Sequence, residues 1–128
     1  MIAMFGDSGA EKLSKPISCI AYRNRFLVSD TGNNCIKAFD QSGTFLYKFG
    51  IQGIEDGQLK SPYGISLDSC NNLLVCDRNN DRVQQFSLDG RFTGKTITDL
   101  PSPTGIATAP DGRILVTSAT ANKVYVLK

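Results

Sequence analysis

The sequence predicts an all-β fold of three tandem four-stranded blades, the repeating unit of a β-propeller. Three observations predict it. Motifs recur around Pro16, Pro62 and Pro103, at spacings of 46 and 41 residues, a period that belongs to propellers or helical arrays. Each repeat breaks into short apolar runs rich in Val, Ile, Phe and Tyr, with the length and composition of strands. Turn clusters such as Thr31-Gly32-Asn33-Asn34, Asp89-Gly90 and Asp111-Gly112 separate the runs, and their Gly, Asn and Asp tolerate positive φ. No stretch sustains the i, i+3, i+4, i+7 apolar stripe of a helix.

Aligning the repeats assigns the elements. Leu13-Ser14-Lys15-Pro16, Leu59-Lys60-Ser61-Pro62 and Leu100-Pro101-Ser102-Pro103 precede the first strand, A. Strands A to D are expected at about 18–21, 26–29, 36–40 and 45–49 in the first repeat. In the second they fall at about 64–67, 73–76, 82–87 and 92–96. The third offers about 105–108, 114–117 and 123–127, and no strand D. Met4-Phe5-Gly6 reads like Lys48-Phe49-Gly50, so residues 2–5 are expected to supply a strand D. The order is D-ABCD-ABCD-ABC within a single domain, 1–128, with blades anchored at 13–50, 59–97 and 100–128.

Composition narrows the function. Of 128 residues, 41% are hydrophobic and 20% charged, and the net charge of +2 gives no strong pull toward nucleic acid or membrane. No apolar run approaches the roughly 20 residues of a membrane span. The apolar start at 1–5 lacks a basic flank and is too short for a signal peptide, so it reads as a strand. There is no histidine, which removes Ser-His-Asp and Cys-His catalysis. Cys19, Cys35, Cys70 and Cys76 show no C-x-x-C pair, so a zinc site is not expected. Free thiols in a reducing, cytoplasmic setting are the simpler reading, with a disulfide as the other. Neither cofactor nor metal is expected, and no catalytic residue is assigned.

The repeats resemble the NHL family. The second carries the family pattern in full: Pro62-Tyr63-Gly64-Ile65, Val75-Cys76-Asp77, and Asn80-Asp81-Arg82-Val83-Gln84-Gln85-Phe86. The first departs at Ser18 and Cys35, the third at Ser118 and Ala121. The wording of Phe49–Pro62 looks most like the C-terminal propellers of tripartite-motif proteins. That resemblance implies a six-bladed ring that recognises a protein partner or single-stranded or hairpin RNA, with any ubiquitin-ligase chemistry residing in a RING domain absent from these residues. It also implies that three blades are half a ring. Two copies would close one, with Ile2, Met4 and Phe5 of one pairing with Val124 and Val126 of the other. The alternative is that these residues are part of a longer propeller.

Candidate sites follow from this layout. The D–A and B–C loops share one face, where Lys15, Lys60, Arg78, Arg82 and Lys123 are candidate basic spokes for ligand binding. Tyr63, beside the expected central channel, is a candidate stacking platform, or simply packs. Acidic residues on the same loops, such as Glu11, Glu55 and Asp81, temper the RNA reading. Asp30 with Asn33, and Asp77 with Asn80, suggest either a polar site or side chains that hold tight turns, and the turn role is the simpler. A channel-centred hydrolase or lyase is a third reading, with little to support it.

Overall fold

A computed structural model describes residues 3–127. Its strands are β1 (Pro16–Tyr22), β2 (Arg25–Asp30), β3 (Cys35–Asp40), β4 (Phe45–Phe49), β5 (Pro62–Leu67), β6 (Leu73–Asp77), β7 (Arg82–Phe86), β8 (Phe92–Ile97), β9 (Pro103–Thr108), β10 (Ile114–Ser118) and β11 (Lys123–Leu127). They form three antiparallel sheets in the orders β1-β2-β3-β4, β5-β6-β7-β8 and β9-β10-β11. Every strand predicted from the repeats inside 16–127 is present. The strands run one or two residues longer at several ends, most regularly in strand A, whose pairing already begins at the proline.

The repeat extends to fine detail. Each strand A pairs through its proline with the last residue of strand B, as Pro16↔Asp30, Pro62↔Asp77 and Pro103↔Ser118. A bulge follows at the same place in every blade, bending strand A where it enters the sheet. The first two B–C connections are single 3-10 turns, Thr31–Asn33 and Arg78–Asn80, each closed by a left-handed residue, Asn34 or Asp81.

Blades stack face to face. Leu27, Ile36 and Ala38 of the first blade bury against Ile65, Leu73, Val75 and Phe86 of the second. The other face of the second blade, with Leu74, Cys76 and Val83, buries against Ile114 and Val116 of the third. Alternation along each strand produces this two-faced packing. Gly64 marks the closest approach, since a Cβ there would lie 2.5 Å from the carbonyl oxygen of Thr104 on the next strand A.

One expected strand does not form within the single chain. Residues 3–5 form no strand, because no neighbouring strand lies beside them, and Met4 is 84% exposed. Ile2 lies outside the described residues. Phe5 nevertheless repeats Phe49. Phe49 packs on Phe86 with ring centroids 5.3 Å apart, and Phe5 packs on Phe39 at 4.9 Å. The segment thus occupies the end of an outer strand without the ladder that would define it.

Candidate functional site

The D–A and B–C loops do share a face, and a backbone bond ties them in each blade, at equivalent positions in the first two and shifted by one residue in the third. Gly32 N–H donates to Ser14 O, Asn79 N–H to Lys60 O, and Ala119 N–H to Ser102 O. Beneath these bonds lies a buried carboxylate. Asp77 is fully buried and accepts from the Lys60 backbone N–H (2.7 Å), Asn80 Nδ2 (2.9 Å) and Arg82 Nε (2.7 Å). Asp30 accepts in the same way from the Ser14 N–H (2.6 Å), Asn33 Nδ2 (2.8 Å) and Lys37 Nζ (2.8 Å). Burial works against the Lys37 ammonium, but its hydrogen bond and charge pairing with Asp30 outweigh this and raise its pKa.

The turn role of Asp30, Asn33, Asp77 and Asn80 therefore widens. These carboxylates join two loops 16 or 17 residues apart in sequence, not just a local turn. Arg82, one of the basic candidates, is held in the same framework. It is 8% exposed, pairs with Asp77, and donates Nη2 to the carbonyls of Glu55 and Gln58. Its Nε and Nη2 are thus committed to the loop, and withdrawing them would leave the buried Asp77 carboxylate without its cation.

Three of the other candidates converge. Lys15, Lys60 and Tyr63 line a cleft of about 320 Å³ between the first two blades, with Asn34, Gln52 and Asn79. Arg78 stacks on the Tyr63 ring, its guanidinium carbon 4.7 Å from the centroid. Tyr63 also packs on the core shared by the second and third blades, while part of it lines the cleft. Arg78 Nε is buried with no hydrogen-bond partner among the described residues. Lys123 stands apart, exposed at the start of β11.

Two of the acids on this face are engaged outside the cleft. Glu11 lies 3.2 Å from Lys48 and 3.6 Å from Lys37, on the outer rim. Asp81 accepts the Ser102 backbone N–H at 2.8 Å. The cleft lining itself has two lysines and no carboxylate, and neither lysine makes an ion pair among the described residues. Glu11 could have been found as a partner for Lys37 only by knowing the path of the D–A loop. Among the described residues no cluster of Cys, Asp and Glu is arranged to hold a metal, and no helix is long and apolar enough to cross a membrane.

The cysteines are free thiols. Burial pushes the Cys76 thiol up to about 12 and also raises Cys35, which faces the Asp30 charge as well. Neither is an activated nucleophile.

Homologues of the chain are NHL-domain proteins. It is 36% identical over 77 residues to Protein brain tumor of Drosophila melanogaster, covering 55% of this chain and 7% of that protein. It is 47% identical over 47 residues to Protein lin-41 of Caenorhabditis elegans, covering 37% of this chain and 4% of that protein. It is 24% identical over 103 residues to the human E3 ubiquitin-protein ligase NHLRC1, covering 80% and 26%. The chain thus spans a small part of each curated relative. No family model matches it. Among solved structures, virginiamycin B lyase from Staphylococcus aureus with quinupristin superposes with a TM-score of 0.75 at 15% identity, over 93% of this chain and 40% of that one. A streptogramin B lyase superposes at 0.70 and 19% identity. These likenesses show the shared blade architecture.

Proposed function

We propose, from this kinship with NHL-domain proteins, that the chain is a non-catalytic recognition platform for a protein partner. Its working unit is a cytoplasmic ring of two copies, and its contact is the cleft lined by Lys15, Lys60 and Tyr63. One observation carries the reading: two unpaired ammoniums and a stacked aromatic line one cleft that contains no carboxylate. Such a lining suits a peptide with an acidic side chain beside an apolar or aromatic one. The carboxylate meets the lysines, and the apolar group lies on the Tyr63 face that Arg78 leaves free. A single cleft with a few cations favours a short acidic segment over RNA, whose binding draws on many phosphate contacts along a tract.

Selection of displayed peptides against the purified chain tests this. Enriched acidic–apolar peptides are expected to bind about tenfold more weakly to Tyr63→Ala and to Lys60→Ala. Labelled single-stranded RNA is the control. Binding to RNA alone, falling steeply with salt and weakened by the same substitutions, replaces the protein reading with the RNA one. If neither ligand is sensitive to these substitutions, the cleft is not the contact.

A further inference from the structure

The hairpins joining A to B and C to D strands lie at the strand ends opposite the cleft described above, and a second cleft opens among them. Its volume is about 570 Å³, against about 320 Å³ for the first. It is lined by Tyr22, Arg23 and Arg25 of the hairpin joining β1 to β2, by Leu27, and by Leu88 and Asp89 of the hairpin joining β7 to β8. These belong to the first and second blades, both complete four-stranded sheets that pack on each other.

Its two arginines are held in place without being neutralised. Arg25 Nη1 donates to the Tyr47 hydroxyl at 2.9 Å, and that hydroxyl donates to the Leu88 carbonyl at 2.5 Å. One corner of the guanidinium is thus pinned to both blades, and the bond uses one of its five donors. Arg23 lies on the Tyr22 ring, its guanidinium carbon 5.3 Å from the centroid. Neither arginine makes an ion pair among the described residues. Asp89 is the carboxylate of the lining. It accepts from the Ser87 hydroxyl and faces Arg91 as well as Arg25, so one acid stands against Arg23, Arg25 and Arg91.

The turn itself does not call for an arginine at 23. Arg23 has a φ of +53°, a conformation that a residue with a Cβ adopts at a cost. The other hairpins of this face give their positive φ to Gly43, Asn71, Gly90 and Gly112, residue types that take it readily. Backbone strain of this kind gathers at functional positions.

We infer that this cleft binds an aryl phosphate, with the phosphate on Arg23 and Arg25 and the ring against Leu27, Leu88 and Tyr22. One guanidinium fork satisfies a carboxylate, whereas a phosphate monoester, with three terminal oxygens and nearly two negative charges, uses two. The volume suits a small ligand of this kind. The site lies on the other face from the peptide cleft and is independent of it.

The test is an NMR titration of the labelled chain with phenyl phosphate, with benzoate as the carboxylate control. Saturable shifts are expected at the Arg23, Asn24, Arg25 and Asp89 amides, with benzoate at least about tenfold weaker. Arg25→Gln and Arg23→Gly are each expected to weaken binding about tenfold. Gly takes the positive φ freely, so in a folded Arg23→Gly chain the loss belongs to the guanidinium and not to the turn. A phosphotyrosyl peptide that binds more tightly than phenyl phosphate supports the site and places the group on a protein partner; equal affinity supports it with a free ligand. Absence of saturable shifts, or shifts confined to the opposite face, overturns the site, as does binding that neither substitution weakens. Benzoate binding as tightly as phenyl phosphate overturns the phosphate assignment.

Discussion

Asp77 is buried among four donors, three of them neutral amides or backbone and one the Arg82 guanidinium. The Gln84 amide completes this set at 3.3 Å. In the first blade Cys35 and Lys37 stand at the positions of Arg82 and Gln84. The cation has moved two residues along the strand, and Lys37 still reaches Asp30. The departure at Cys35 therefore keeps the pair rather than losing it. This exchange was not legible from the motif, because the motif scores positions singly and the charge is conserved across two of them. Removing the carboxylate strands a buried guanidinium. Asp77→Ala is expected to lower the unfolding free energy by about 3–5 kcal/mol, read from urea denaturation. A loss below about 1 kcal/mol would mean that the loop re-forms without its anchor. The third blade, with Ser118 in this position donating to the Pro101 carbonyl, replaces the ion pair by a neutral hydrogen bond.

At the scale of the element, the hairpins joining C to D strands carry Asp side chains with a definite task. Asp40 accepts backbone N–H bonds from Thr44 (2.9 Å) and Ser42 (3.0 Å) and a hydroxyl bond from Ser42, and the Thr44 bond above all holds its carboxyl below the ordinary value of 3.8. Asp89 is lowered chiefly by its bond from the Ser87 hydroxyl. A depressed carboxyl stabilises the fold above its unfolded value and ceases to do so as pH falls through the folded one. Both hairpins are thus expected to hold at pH 4 and to loosen only below 3.8. Proton titration by NMR checks this: the Thr44 amide should follow the Asp40 carboxyl, with a midpoint below 3.8. A midpoint at or above that value would show that the turn bond does not persist in solution. Such turns were readable from their Gly, Ser and Asp clusters, as at Asp89-Gly90, since the bonds are local and short side chains have few alternatives.

For the molecule as a whole, the order of blades was legible because strand alternation and turn chemistry are local and repeated. The site was legible only in part. Lys15, Lys60 and Tyr63, placed on one face by the repeat, line one cleft, but the burial of Arg82 and the diversion of Glu11 to Lys48 depend on loops that meet only after folding. The three-blade stack also sets a gradient of local stability. The second blade has both faces covered, while the first and third each have one face open. Amides in β6 and β7 are therefore expected to exchange only through global unfolding. Those in β11, an edge strand with half-exposed Val124 and Val126, exchange through local opening, faster by about two orders of magnitude or more for a gap of roughly 3 kcal/mol. Native-state hydrogen exchange in dilute solution, where single chains predominate, measures both. Equal protection of β6 and β11 there would mean that the stack unfolds as one unit, without a weak end. Raising the protein concentration is expected to slow exchange in β11 selectively, because the strand that is loosest alone gains most when a neighbouring strand pairs with its edge.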